Sequence, residues 1–308
     1  MEYVAWAQRP ALRRPVMVTA FEGWNDAGDA ATLAARYLRD LWDAAPVASI
    51  DAEEFYDFSS TRPTVRLADG VTREIVWPAN DVYAVQLPDS AHDVVFLLGT
   101  EPQLRWRTYC EQVIAIARDL GVELVVTLGA LLADVPHSRP VQVIGTAASP
   151  DIVTRYDLQH SRYEGPTGIV GVLHDALARE GFPCVSLWAA VPAYLPAVPS
   201  PKAALALVER TSAVLDAPVL TAGLEIATAS YEREMDAAVD SDDELSAYLS
   251  RLEELADDGD PDDDLGLDGM ELDGMGLGLD DDLDDAASRR GQGLVEEVER
   301  FLRNQREE

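Results

Sequence analysis

The stretch PVMVTAFEGWNDAGDAATLAARYLRDLW, Pro15 to Trp42, passes from an apolar run through a glycine-containing turn into an amphipathic segment. The apolar run predicts a buried strand and the amphipathic segment predicts a helix. Similar alternation continues along the chain. The predicted strands are Val16–Ala20, Val47–Asp51, Val82–Leu87, Val94–Leu98, Leu124–Leu128, Val141–Thr146 and Cys184–Ala190. The predicted helices are Asp26–Asp43, Pro102–Leu120, Thr167–Glu180 and Pro201–Leu215.

This alternation predicts an α/β fold, a three-layer α/β/α sandwich around a mostly parallel or mixed central sheet. The strands are rich in Val, Leu and Ile, which is typical of strands that are buried on both faces. The segment Glu53–Trp77 contains Arg62-Pro63 and Asp69-Gly70 turns. We therefore expect a hairpin or an edge structure there rather than a crossover helix.

The turn in the opening stretch lacks both phosphate-binding glycine patterns. Its glycines, Gly23 and Gly28, do not form GxGxxG, and no Lys-Ser or Lys-Thr follows. Glu22, Asp26 and a further aspartate surround the helix start, where they would repel a phosphate. Two interpretations remain open: Asn25 or Asp26 caps the helix, or the turn binds a ligand or metal through Glu22, Asn25 or Asp26.

The loop after the fourth predicted strand, LLGTEPQLRW, places Glu101 at the same expected sheet edge as Glu22. Two carboxylates at one edge could act as a general acid and base, or they could bind a cation. Thr100 and Gln103 match the capping-box pattern, which predicts a helix start at Pro102.

Two further loops contain candidate binding groups. In GALLADVPHSRP, His137 is titratable and Arg139 can bind an anion, or Arg139 can pair with Asp134 in a structural loop. In SRYEGPTGIVGVLHDA, Glu164 and Thr167 precede an apolar helix whose first N–H groups could bind an anion. Glu22, Glu101 and His137 are thus candidate catalytic residues.

Composition excludes several classes of protein. The chain has 308 residues, 24 Lys and Arg against 56 Asp and Glu, and a formal net charge of −32. Clustered cations are needed to bind phosphates, so we expect neither a nucleic acid nor an anionic membrane as partner. No apolar run reaches the ~20 residues of a membrane span, and no signal peptide is evident. We expect a cytoplasmic protein with two reduced cysteines, no metal site and no cofactor.

The sequence pattern divides the chain into four parts. We expect a core domain at 1–222, a helical extension at 223–256, an acidic disordered linker at 257–290 and a short amphipathic helix at 291–308. The extension shows helical spacing of leucines, and the linker is dense in Asp and Gly. The linker contains no complete calcium-binding loop.

The loops resemble those of the proteasome assembly chaperone family of the second type, in its bacterial branch. The matching segments are FEGWNDAGDAA, LLGTEPQLRW, DVPHSRP, SRYEGPTGIVGVLHDA and SLWAAVPAYLPAVPSPKAALAL. The resemblance implies a sandwich similar to that of purine nucleoside phosphorylases and hydrolases, with a small helical C-terminal part. It also implies a homo-oligomer and proteasome subunits as partners. The chain ends FLRNQREE, without the hydrophobic-Tyr-any tail by which such chaperones dock.

Two specific functions follow from these observations, beside a third in which the chain is an oligomeric scaffold whose acidic tail provides solubility. The first is a non-enzymatic interaction or assembly-chaperone-like protein linked to proteasome assembly. The second is an enzyme or small-molecule binder of the phosphorylase or hydrolase type. It requires Glu22, Glu101, His137, Arg139 and Thr167 to converge at one sheet edge.

Overall fold

Ten strands, seven α-helices and one short 3₁₀-helix, Ala27–Asp29, are found in the part of the chain that the structure, a computed structural model, describes: residues 2–196 and 198–258. The strands are β1 Val4–Trp6, β2 Val16–Glu22, β3 Ala45–Ile50, β4 Thr64–Ala68, β5 Thr72–Val76, β6 Asn80–Val85, β7 Val94–Thr100, β8 Leu124–Ala133, β9 Val143–Thr146 and β10 Cys184–Pro192. The helices are α1 Ala30–Leu41, α2 Trp106–Asp119, α3 Pro150–Tyr156, α4 Ile169–Arg179, α5 Pro201–Leu215, α6 Ala222–Asp240 and α7 Asp243–Asp258.

Eight strands form one mixed sheet in the order β1-β3-β6-β7-β2-β8-β10-β9. The four central strands, β7, β2, β8 and β10, are parallel, and antiparallel strands flank them on both sides. The central strands are almost continuously buried because helices cover both faces. The predicted mixed central sheet is therefore confirmed.

Successive side chains of each central strand pack into two hydrophobic cores, one on each face of the sheet. In β2, Val18 faces a core that α1 and α5 complete, with Leu38 and Leu207 among its members. Met17 faces a second core with residues of α2 and α4, including Val113 and Leu173. This division follows from the two-residue period of strand side chains, and it confirms the three-layer sandwich.

One local prediction is wrong, and two short elements were not predicted. The Thr100–Gln103 capping box is wrong, because Thr100 is the last residue of β7 and α2 begins only at Trp106. The Thr100 hydroxyl donates to Glu22 instead, and Arg105, with φ 53°, precedes the helix in the left-handed conformation. The sequence reading also missed the short elements β1 and α3. The hairpin predicted within Glu53–Trp77 is present as β4 and β5.

Helices α6 and α7 form the helical extension. Helix α7 continues through Asp258, beyond the predicted boundary at 256. The predicted linker from residue 259 onward and the predicted helix at 291–308 lie outside the described residues. Among the helices that are described, none is long and apolar enough to cross a membrane.

Candidate functional site

The carboxyl ends of the four parallel strands lie at one edge of the sheet, here called the carboxyl edge. The chain leaves β2 for β3 through α1 on one face, and it leaves β7 for β8 through α2 on the other face. In open α/β sheets, ligands commonly bind where connections diverge in this way. Most of the candidate side chains nominated from the sequence lie at or just beyond this edge.

Glu22 and Glu101 meet at this point. The Glu101 N–H donates to the Glu22 carbonyl, with N and O 2.8 Å apart. The Glu22 carboxylate forms an ion pair with Arg36 and accepts a hydrogen bond of 3.0 Å from the Thr100 hydroxyl. Both oxygens of Glu22 therefore have partners within the protein.

The carboxylate of Glu101 lies at the N-terminus of α4, in the position of a bound anion. Its Oε1 accepts the Ile169 N–H at 2.8 Å, at the start of that helix. A Cβ atom on the adjacent Gly168 would overlap Asn25 Oδ1 and lie 2.8 Å from Glu101 Oε1. The position at which the sequence predicted a bound anion is thus occupied by the carboxylate of Glu101. Thr167 lies beside the first turn of α4, and both it and Glu164 are exposed.

Asp26 caps the first turn of α1 from within the core. Its Oδ1 accepts the N–H groups of Ala31 and Thr32 at 2.7 and 3.1 Å, and the Thr32 hydroxyl donates to Oδ2. Burial raises the pKa of Asp26 to about 7, although these hydrogen bonds favour the ionised form. The geometry corresponds to the capping interpretation of this residue.

Asn25 joins the turn to the neighbouring strand. Its carbonyl accepts the Ala130 N–H of β8 at 2.8 Å, and the residue is buried. Its side-chain Oδ1 has no hydrogen-bond partner among the described residues. This oxygen lies against Gly168, so Asn25 packs between the turn after β2 and the start of α4.

His137 is buried at the base of the helical extension. Its backbone N–H donates to the Tyr194 hydroxyl at 2.8 Å, and its Nδ1 lies 2.7 Å from the same oxygen. Its Nε2 lies 3.1 Å from Asp236 of α6, and its carbonyl accepts from Lys202 at 2.6 Å. The network is consistent with the tautomer that carries its proton on Nε2, because the hydroxyl already accepts one hydrogen bond and can donate to Nδ1.

Arg139 binds α7. It makes two hydrogen bonds with Asp257, of 2.8 and 2.7 Å, and an ion pair of 3.3 Å with Glu253. Asp134 accepts instead from Tyr248 at 2.8 Å, so the Asp134–Arg139 alternative is not the pairing observed. The five side chains expected to converge therefore divide into two groups. Glu22, Glu101 and Thr167 surround the start of α4, whereas the other two hold the extension.

The carboxyl edge also carries exposed apolar side chains. Trp24 follows β2, Leu104 follows β7 and Leu132 is near the end of β8, and they are 51%, 44% and 40% exposed. These three strands are neighbours, and adjacent strands lie about 4.8 Å apart. Sequence reasoning missed this feature, although a Trp and a Leu placed among polar loop residues were a usable signal.

Within the described part of the chain, no group of three His, Cys, Asp or Glu residues is placed to hold a metal ion. Cys110 and Cys184 are free and buried, and burial raises the pKa of each thiol to about 12. A thiol protonated at neutral pH is a poor nucleophile.

The chain is similar to known proteins over most of its length. The chain matches the model of the PAC2 family over residues 20–239. It is 46% identical to a PAC2 family protein from Streptomyces avermitilis, with a TM-score of 0.71, covering 76% of this chain and 99% of that one. A Mycobacterium tuberculosis proteasome-assembly chaperone homologue is 48% identical, with a TM-score of 0.69 and the same coverage.

A more distant similarity supports the fold alone. The archaeal proteasome activator PbaB from Pyrococcus furiosus is 17% identical, with a TM-score of 0.64, covering 77% of this chain and 99% of that one. A search of the curated proteins finds no match.

Proposed function

Because the chain belongs to the PAC2 family, we propose that it is a non-enzymatic interaction protein of the assembly-chaperone type, with a partner from the proteasome system. The proteasome-assembly chaperone homologue from Mycobacterium tuberculosis, which is 48% identical to this chain, supports this kind of partner. We also propose that it acts in the cytoplasm as a homo-oligomer. The match to the PAC2 family confirms the family that the loop sequences indicated.

The observation that carries the proposal is the exposure of three large apolar side chains, Trp24, Leu104 and Leu132, on neighbouring strands and loops of the carboxyl edge. Exposed apolar residues grouped on a protein surface commonly mark protein contacts, and Trp is enriched among the anchors of interfaces. The edge is where a ligand site would be expected in this class of fold. A protein-binding surface at this position suits an interaction protein.

The polar groups of the same edge also favour this function over the enzyme alternative. Glu22, Glu101 and His137 each have an intramolecular partner, and these contacts hold the loops and the helical extension together. A general acid or base must instead reach a substrate proton. The proposed contact surface is thus apolar, and the three candidate catalytic side chains already have partners within the protein.

The test measures binding of the purified full chain to proteasome subunits and, separately, to assembled proteasome particles. We expect Trp24→Ser to weaken binding about tenfold or more, since truncated aromatic anchors commonly cost at least that much. Leu220→Ser is the matched control, because Leu220 is 73% exposed and precedes α6 at the opposite edge of the sheet.

Binding that is absent from both forms of the proteasome at low and moderate salt would overturn the proposed partner. Equal binding by the Trp24 variant and the wild-type chain would overturn the proposed surface. Turnover of nucleosides with phosphate, lost on Glu101→Gln, would instead favour the enzyme alternative.

A further inference from the structure

Strands β4 and β5 form a hairpin that pairs with no other described strand. Every residue from 64 to 77 is exposed except Ala68, which is half-buried. A lone two-stranded hairpin is only marginally stable in water, since it can bury little apolar surface. Its free strand edges also offer unpaired backbone groups to any neighbouring segment.

One face of the hairpin is apolar. Val65 lies opposite Ile75, and Leu67 lies opposite Arg73. Side chains alternate between the two faces of a strand, so these four share one face, and Trp77 continues it two residues beyond Ile75. The four apolar side chains on this face are each between 50% and 60% exposed. So much exposed apolar surface on one element indicates a docking face.

The charge on this face indicates the chemistry of a segment that could bind it. Arg73 has no ion-pair partner among the described residues, whereas Arg66 and Glu74 pair with each other at 2.8 Å on the opposite face. Between residues 58 and 79 there are three arginines and two carboxylates, in a chain whose formal net charge is −32. An apolar face with an unpaired arginine fits an occupant that is both apolar and acidic.

The chain contains such a segment at residues 265–283. It has six Asp or Glu residues, no Lys or Arg, and eight large apolar residues. The apolar residues are Leu265, Leu267, Met270, Leu272, Met275, Leu277, Leu279 and Leu283. Met275, Leu277 and Leu279 recur at every second position, the spacing at which side chains of an extended chain share one face.

The segment is long enough to reach the hairpin. The described chain ends at Asp258 of α7, which Arg139 holds through the neighbouring Asp257. The hairpin leaves the same carboxyl edge, because it lies between the end of β3 and the start of β6. Strands β6 and β8 are about 15 Å apart in the sheet. The chain from residue 258 to residue 275 spans up to about 56 Å when extended.

We propose that residues 265–283 of the same chain dock on the apolar face of the β4–β5 hairpin. The leucines and methionines cover Val65, Leu67, Ile75 and Trp77, and the carboxylates lie near Arg73. This intramolecular contact is independent of the proposed proteasome partner, since it uses a different surface from Trp24, Leu104 and Leu132.

The first test compares hydrogen exchange of backbone amides in residues 64–77 in three full-length chains. The variant Met275→Ser/Leu277→Ser/Leu279→Ser should exchange these amides at least about tenfold faster than the wild type. The control Leu294→Ser/Val298→Ser/Phe301→Ser carries the same number of substitutions outside the segment, and it should exchange at the wild-type rate. Equal exchange in all three chains would overturn the proposal.

A second test identifies which chain supplies the segment. Leu67→Cys combined with Leu277→Cys should form a disulfide under mild oxidation, while Cys110 and Cys184 are buried and unreactive. A cross-link within one chain, unchanged on dilution, supports the proposal. Cross-links only between chains would place a second copy on the hairpin and overturn it, as would the absence of any cross-link.

Discussion

The carboxylate of Glu101, in the loop after β7, accepts the backbone N–H of Ile169 at the start of α4, with Oε1 and N 2.8 Å apart. The two residues are 68 positions apart in the chain. A helix N-terminus attracts anions, and in this protein an internal carboxylate meets that requirement. The contact also joins two loops of the carboxyl edge, so a residue that looked catalytic in the sequence has a structural role.

Glu101→Ala should destabilise the protein by about 1–3 kcal/mol, because the N–H of the buried Ile169 loses its acceptor. The free energy of unfolding in urea measures this change. Glu123→Ala is the control, since Glu123 pairs with Arg14 at the surface and should cost less than about 1 kcal/mol. Equal losses in the two variants would contradict the role assigned to Glu101.

Gly168→Ala should destabilise the protein by about 1–3 kcal/mol, because the new methyl group overlaps Asn25 Oδ1 in a buried site. Asn25→Ala removes that oxygen. The double variant should therefore lose less free energy of unfolding than the two single variants lose together. Urea unfolding of the two single variants and the double variant tests this coupling, and strict additivity would show that the two residues do not interact.

Asp26 should make stability depend on pH. Its pKa is raised to about 7, so the stability contributed by its protonated form is fully present below about pH 4 and is lost as the pH rises to about 7. One proton gives a slope of at most about 1.4 kcal/mol per pH unit. Asp26→Asn should remove this component of the decline. The free energy of unfolding is measured between pH 4 and pH 8 for the wild type and Asp26→Asn. The same slope in both proteins would contradict the raised pKa of Asp26.

Arg139→Gln should loosen α7 and leave the sandwich intact, because Arg139 binds Asp257 and Glu253 of that helix. Hydrogen exchange across residues 243–258 should become several-fold faster, and salt near 1 M should partly reproduce the effect by screening the charges. Arg179→Gln is the control, since Arg179 pairs with Asp175 within α4. Unchanged exchange in α7 would show that the ion pairs do not hold it.

The layers and the order of the main elements could be predicted from the sequence because they depend on local patterns. The Val-rich runs and helical periods between Pro15 and Leu215 indicate strands and helices without reference to any distant residue. The loop sequences similarly indicated the family. The short elements β1 and α3 were missed, since three and seven residues carry little periodic signal.

The same sequence identified Glu22, Glu101, His137 and Arg139 as side chains able to do chemistry, but it did not determine their partners. Arg139 lies 118 positions from Asp257, and His137 lies 99 positions from Asp236. Hydrogen bonds form only when the two atoms approach within about 3 Å, and ion pairs within about 4 Å. The packing of helices against the sheet sets those distances, so only the tertiary structure decided that these groups join parts of the protein together.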